Sequence, residues 1–195
     1  MFTGIITHQG MVVAREALPA GLRLEIACGL DLSQVPLGAS IACDGVCLTV
    51  ISTTDKSFTA EVSEETLSKT TLGSWQIGYQ MNLERAIQAG GEFGGHFVTG
   101  HVDAVGSISR FENQGTFWLL EVSFPPALRR YFAEKGSVTI NGVSLTVNSV
   151  SDSTIGMTII PHTAAITNIG KFTEGGRVNL EVDLIARYIA PYLQK

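Results

Sequence analysis

Asp44-Gly45-Val46-Cys47-Leu48-Thr49-Val50 and Asn141-Gly142-Val143-Ser144-Leu145-Thr146-Val147 are one phrase written twice in a chain of 195 residues. Gly45 and Gly142 stand 97 positions apart, and the same offset pairs Asp55 with Asp152, Thr66 with Thr163, Gly73 with Gly170 and Gly78 with Gly175. It also pairs Asn82-Leu83-Glu84 with Asn179-Leu180-Glu181. Near the start of each half, Thr3-Gly4 pairs with Thr99-Gly100, and Gly10 with Gly106, at an offset of 96. So many identities at one spacing mark an internal duplication, and each copy has the size of a small domain, roughly 95 residues. The change from 96 to 97 reads as a single insertion, placed where Gly38 to Gly45 runs one step longer than Gly136 to Gly142. Gly90-Gly91-Glu92-Phe93-Gly94-Gly95 is the turn-prone seam between the copies.

Within the repeated phrase, Asx-Gly suits a tight hairpin turn with positive φ, and the run that follows reads as a strand. Side chains alternate along a strand, so Cys47 and Thr49 share one face and Val46, Leu48 and Val50 the other; Ser144 and Thr146 repeat the arrangement. Alternation recurs in Leu22 to Ile26, Phe58 to Val62, Met81 to Glu84, Thr116 to Val122 and Ser137 to Ile140. Short strands between Gly and Asx turns predict a small antiparallel barrel in each half. Helical patterns are few: a short turn over Glu64 to Thr70, one helix over Pro126 to Lys135, and a last helix over Leu184 to Leu193. That last helix carries an apolar stripe on Leu184, Ile185, Tyr188, Ile189, Tyr192 and Leu193, with Asp183 as its cap and Pro191 set to kink or fray it.

Composition excludes several classes. Thirteen Lys and Arg against 18 Asp and Glu give a net charge of −5, and Arg129-Arg130 is the one adjacent basic pair, a poor footprint for nucleic acid. The first residues lack a cationic lead, and no apolar run reaches the ~20 residues that span a bilayer, so a cytoplasmic protein without membrane contact is expected. Cys28, Cys43 and Cys47 are odd in number and lack zinc-type spacing, which favours reduced thiols. His96 and His101 are five apart, on opposite faces of a regular strand, with no third ligand nearby, so no metal site is expected. There is no P-loop and no Gly-x-Gly-x-x-Gly between a strand and a helix.

Two residue types suit chemistry. His101 follows Gly100 in the slot that Ile5 holds after Gly4, so equivalent places in the two halves differ by one proton carrier. Cys47, the counterpart of Ser144, reads either as a small buried residue or as a thiol serving as nucleophile or proton relay.

The opening Met1-Phe2-Thr3-Gly4-Ile5, the segment Gly94-Gly95-His96-x-x-x-Gly100-His101, the twin strands and Val178-Asn179-Leu180-Glu181-Val182-Asp183 resemble the riboflavin synthase and lumazine protein family, α-chain type. The resemblance runs along the whole chain. It implies an all-β fold of two tandem six-stranded Greek-key barrels, with residues 1–88 as the first lumazine-binding barrel and 97–183 as the second. It implies that residues 184–195 form a helix joining a homotrimer, and it admits association with a lumazine synthase. It also implies dismutation of two molecules of 6,7-dimethyl-8-ribityllumazine to riboflavin and 5-amino-6-ribitylaminouracil, without metal or redox cofactor.

By motif, the resemblance places first-barrel ligand contacts at Gly4, Ile5 and Ile6, at Ser40, at Cys47, Leu48 and Thr49, and at Glu61, Val62, Ser63, Glu64, Glu65 and Thr66. In the second barrel it places them at Gly100, His101 and Val102, at Lys135, at Ser144, Leu145 and Thr146, and at Thr158, Ile159, Ile160, Pro161, His162 and Thr163. Asp183 matches a family carboxylate. Cys47 and Ser40 would supply or assist a nucleophile, and His101, Ser144 and Thr146 would move protons. The alternatives are a protein of the same fold that holds lumazine or flavin as a fluorescent antenna without catalysis, and a duplicated barrel used as an interaction module.

Overall fold

The computed structural model describes residues 1–193. The first half contains β1 (His8–Leu18), β2 (Gly21–Cys28), β3 (Ser40–Cys43), β4 (Val46–Thr53), β5 (Ser57–Ser63) and β6 (Gln80–Arg85). The second contains β7 (Ala104–Asn113), β8 (Trp118–Ser123), β9 (Ser137–Ile140), β10 (Val143–Val150), β11 (Thr154–Ile159) and β12 (Arg177–Val182). Each set closes into an antiparallel barrel, in the order β1-β2-β5-β4-β3-β6 and, equivalently, β7-β8-β11-β10-β9-β12. Matching bulges mark both copies: the register shifts between Val12 and Ala14 and between Ile108 and Arg110, and again between Val50 and Ser52 and between Val147 and Ser149. Bulges bend and twist strands, which lets so short a sheet close on itself.

Each barrel has its own apolar centre. Val46, Leu48 and Val50 point into the first, with Leu24, Ile26 and Phe58; Val143, Leu145 and Val147 point into the second, with Leu120, Val122 and Ile155. Cys47, Thr49, Ser144 and Thr146 are partly or fully exposed, so the polar face of each repeated phrase lies on the outer wall.

The barrels meet along their two hairpin turns. Asp44-Gly45 and Asn141-Gly142 all adopt positive φ, between 44° and 79°. A Cβ on Gly45 would fall 2.7 Å from the Gly142 amide nitrogen, and one on Gly142 2.6 Å from that of Gly45, so only glycine lets the turns abut. A buried ring of amides ties the junction. Asn82 Nδ2 donates to the Asn141 carbonyl and to Asn168 Oδ1, and Asn179 Nδ2 donates to the Asp44 carbonyl.

Three sequence expectations need correction. Gly38 and Lys135 both have positive φ and donate their N–H to Val50 and Val147 respectively, so they are the equivalent pair. The extra residue therefore lies earlier, between Phe124 and Phe132, and lengthens the segment that corresponds to Cys28 through Val35. The helix expected over Pro126 to Lys135 is a 3-10 segment, Pro126–Tyr131. It stops there because Phe132 turns inward, buried and packed on Phe124 at 4.7 Å between ring centres. The turn expected at Glu64 to Thr70 is a helix, α1 (Glu64–Lys69), capped by Ser63 Oγ accepting the Thr66 N–H. Its counterpart is α2 (Pro161–Ile166).

At the end of the chain α3 (Leu184–Ile189) is capped by Asp183, which accepts the Ile185 N–H, and continues into a 3-10 turn at Ala190–Tyr192 around Pro191. Ile185, Tyr188, Ile189, Tyr192 and Leu193 stand exposed. The expectation of a terminal helix to 195 includes two residues outside the described ones.

Candidate functional site

The segments that open the two halves are exchanged between the barrels. Ile6 packs into the second barrel's core, and Val102 packs against the first barrel's core. The Gly4 carbonyl accepts the Ser144 N–H at 2.8 Å, and the Gly100 carbonyl accepts the Cys47 N–H at 2.9 Å. A Cβ on Gly4 would meet Ser144 Cβ at 2.6 Å, and one on Gly100 would meet Cys47 Cβ at 2.6 Å. The sequence grouping of Gly4, Ile5 and Ile6 with the first barrel's phrase, and of Gly100, His101 and Val102 with the second's, is therefore corrected: each trio sits on the opposite barrel's wall. The exchange follows from the turn-to-turn docking, which carries each opening segment across the junction.

Buried carboxylates clamp both segments. Glu84 Oε1 accepts the Thr3 N–H and hydroxyl, each at 2.7 Å, and Oε2 accepts the Gly4 N–H at 2.9 Å. Glu181 does the same for Thr99 and Gly100 at the same distances. Burial raises the pKa of both carboxyls above the usual range, against the pull of these hydrogen bonds. Sequence reading did not assign these residues a role. The signal was present, since Asn-Leu-Glu recurs at the end of each half as Thr-Gly does at its start.

Around Cys47 the exchange builds a cavity of about 230 Å³. Cys47 and Val46 come from β4, Glu65, Thr66 and Lys69 from α1, and Gly100, His101 and Val102 from the crossing segment. One wall thus gathers a thiol, a hydroxyl, an imidazole and backbone amides from three parts of the chain. Ser40 stands opposite Thr49 in the β3–β4 ladder, farther along the same face and outside the lining. Leu48 and Val62 are buried in the barrel, so only their backbone faces outward. Glu61 is exposed and paired with Arg23 at 2.7 Å, Ser63 caps α1, and Glu64 is exposed.

The Ser144 site is built differently, because the linker between the halves exists only once. His96 donates its backbone N–H to the Thr3 carbonyl, and its Nδ1 lies 2.7 Å from Ser144 Oγ. Its Nε2 is buried and has no hydrogen-bond partner among the described residues. Burial lowers the His96 pKa, and the nearby Asp183 charge pulls it back up. The sequence weighed His96 only as a metal ligand; its place is beside the serine. Among the described residues no group of three or more His, Cys, Asp or Glu is placed to hold a metal ion.

Thr146 faces Ser137 on the outer wall, and Lys135 is exposed at its turn. Leu145 and Ile159 are buried like their counterparts, while Thr158, Ile160, Pro161 and His162 are exposed and Thr163 is half-buried. Asp103 accepts the Val182 N–H and pairs with Arg187 at 2.8 Å, and Arg187 also reaches the His101 carbonyl at 3.4 Å. The C-terminal helix is thereby tied to the segment that carries His101.

The family profile described as "Lumazine binding domain" matches twice, over residues 3–86 and 99–183. The chain is 43% identical over 190 residues to a riboflavin synthase of Photobacterium phosphoreum, covering 97% of this chain and 87% of that one. It is 40% identical over 195 residues to a riboflavin synthase of Bacillus subtilis (strain 168), covering 100% and 91%. A riboflavin synthase of Brucella abortus (strain 2308) is 42% identical over 199 residues, covering 100% and 98%. Among solved structures, LumP complexed with riboflavin superposes with a TM-score of 0.86 at 23% identity, over 93% of this chain and 99% of that one. LumP complexed with 6,7-dimethyl-8-(1'-D-ribityl) lumazine gives 0.84 at the same identity and coverage. At that identity the likeness speaks for the fold.

Proposed function

Because the chain belongs to the riboflavin synthase family of lumazine-binding proteins, we infer that its two exchanged sites each seat one ribityllumazine, and that the first barrel of one chain faces the second barrel of a neighbour so that the reaction joins their two ligands. The reaction is the dismutation of two molecules of 6,7-dimethyl-8-ribityllumazine. One gives up a four-carbon unit and leaves as 5-amino-6-ribitylaminouracil; the other receives it and leaves as riboflavin. Both substrates are the same compound, so what one loses the other gains, and the balance needs no outside oxidant.

The observation that carries this reading is the asymmetry of the twin sites. Cys47 faces Gly100-His101, while Ser144 faces Gly4-Ile5 and His96. Two identical substrates must play unlike parts, and one duplicated frame with different proton carriers suits that need. The C7 methyl of one lumazine is acidic because its anion spreads into the ring. The other lumazine must take a nucleophile at C7.

In our proposal His101 handles the proton at the Cys47 site, and Cys47 or a water held by Ser40 adds to the ring there and is expelled again, with a proton, once the four-carbon unit has been transferred. Ser144, Thr146 and Asp183 serve the second site, with Lys135 and Thr158 to Thr163 lining the ligand. Holding the two rings together supplies much of the rate, since effective molarities in well-oriented pairs reach on the order of 10⁵ M. The exposed apolar stripe from Ile185 to Leu193 supports the further proposal that chains associate through α3, as a homotrimer.

The test is anaerobic incubation of purified protein with 6,7-dimethyl-8-ribityllumazine. Appearance of riboflavin absorbance and fluorescence, with the uracil product in equal amount, supports the reading. Binding without conversion makes the chain a lumazine-holding protein instead. Light scattering tests the trimer, and Tyr188→Glu should dissociate it.

A further inference from the structure

A second cavity, of about 390 Å³, opens at the junction of the barrels and shares no lining residue with the Cys47 cavity. Its origin lies in a broken symmetry. The buried Asp44 side chain is fully engaged: Oδ1 accepts the Asn82 N–H at 2.8 Å and Asn168 Nδ2 at 2.9 Å, and Oδ2 accepts the Tyr79 hydroxyl at 2.8 Å. Asn141 holds the equivalent place in the second barrel and is only 2% exposed. Its N–H donates to the Asn179 carbonyl, its carbonyl accepts Asn82 Nδ2, and its Oδ1 accepts the Asn179 N–H. Among the described residues, none accepts a hydrogen bond from Asn141 Nδ2.

The missing partner is the counterpart of Tyr79. At the offset of 97 that position is Gly176, which has no side chain to offer. Asn141 and Gly176 both line the cavity, so the free amide donor and the vacated space coincide. The rest of the lining is selective. Lys171 and Arg177 are exposed there, Tyr79 and Phe172 add aromatic surface, and no Asp or Glu is among the lining residues. On a chain of net charge −5 this is a local cationic mouth over a buried amide donor. The buried Asp44 carboxylate lies behind Asn168 and Tyr79, whose donors it already occupies.

We propose that this cavity is a binding site, separate from the lumazine sites, for the oxyanion group of a small phosphate- or carboxylate-bearing molecule. An oxyanion oxygen accepts Asn141 Nδ2, and Lys171 and Arg177 hold the charge. Lys171 is at present bonded to Gln80 Oε1, an exposed contact it can exchange for a charged one. Phe172 and the Tyr79 ring favour a flat organic group beside the anion.

The test is calorimetric titration of the full chain with inorganic phosphate, phenyl phosphate and benzoate, alone and with saturating ribityllumazine. The expected result is saturable binding of one anion per chain, unaffected by the lumazine. Phenyl phosphate binding tighter than benzoate assigns phosphate as the group, and the reverse order assigns carboxylate. Lys171→Ala and Arg177→Ala change exposed side chains, and each should weaken binding by about tenfold or more, as loss of a charge-assisted hydrogen bond does. Asn141→Asp should abolish binding by adding a buried acceptor and negative charge, and Lys56→Ala should leave it unchanged. Absence of saturable binding overturns the proposal. So does binding that survives both Lys171→Ala and Arg177→Ala, or binding displaced by ribityllumazine.

Discussion

The carbonyl of Gly100, in the second half of the chain, holds the amide of Cys47, in the first, at 2.9 Å. Gly100 has φ +79°, and a Cβ there would sit 2.6 Å from Cys47 Cβ. Gly100→Ala should therefore destabilise the fold by about 2 kcal/mol or more, from combined backbone strain and overlap. It should also push His101 away from Cys47. Urea midpoints and lumazine affinity check both effects; a variant as stable as the parent would mean that the crossing segment does not rest on the Cys47 strand.

His101→Ala should lower kcat by on the order of 10² while leaving KM within a few-fold, because it removes a proton carrier and little contact area. The ring is exposed on the cavity wall, and its segment is held through backbone atoms and Asp103, so the fold should be indifferent to the change. Steady-state kinetics with circular dichroism as a control decide it. An unchanged kcat takes His101 out of the proposed chemistry.

Glu84→Gln and Glu181→Gln should act on opposite sites. An amide cannot accept all three donors that each carboxylate now accepts, so one buried donor loses its partner, at a cost of roughly 1–3 kcal/mol. Glu181→Gln loosens Gly100 and with it the Cys47 site. Glu84→Gln loosens Gly4 beside Ser144. Titration with ribityllumazine should show one of two sites weakened in each variant, and equal weakening of both sites would contradict independent clamps.

Asp44 should give stability a pH dependence. Burial raises its pKa to about 7, against three hydrogen bonds that favour the ionised form. The folded chain thus keeps a proton that the unfolded chain gives up near pH 4. Its contribution is complete below about pH 4 and is lost as pH rises through 7. Asn141 adopts the same positive φ in the other turn, so Asp44→Asn should fold. The variant should match the parent near pH 4 and exceed it by a few kcal/mol, in order of magnitude, at pH 8.5. Parallel stability curves from pH 4 to pH 8.5 would refute this.

Much of this molecule could be read from the letters because the duplication doubles each signal. The paired phrases at Gly45 and Gly142 fixed the hairpins, and alternation through Val46 to Val50 told inside from outside correctly. Bulges at Val12 and Ile108 left no such trace, since a bulge adds one residue of any type. The match of Gly38 to Gly136 misled because Lys135 takes the left-handed conformation that its glycine counterpart adopts freely. The pairing of Gly4 with Ser144 was hidden for a deeper reason. It depends on how two finished barrels dock, and no local pattern near either residue reports that. His96 likewise looked like half of a failed metal site until the linker placed it at 2.7 Å from Ser144 Oγ.

The crossing of Ile6 and Val102 also bears on how such a chain is put together. A solitary half would leave its own plug outside and its own interior unstoppered. Two solitary halves could stopper each other by mutual arm exchange, with glycine turns touching at the dyad. The present single chain thus has the layout of two such halves joined end to end. Within one chain the two arms need not match, and the slot after the crossing glycine is Ile5 in one and His101 in the other.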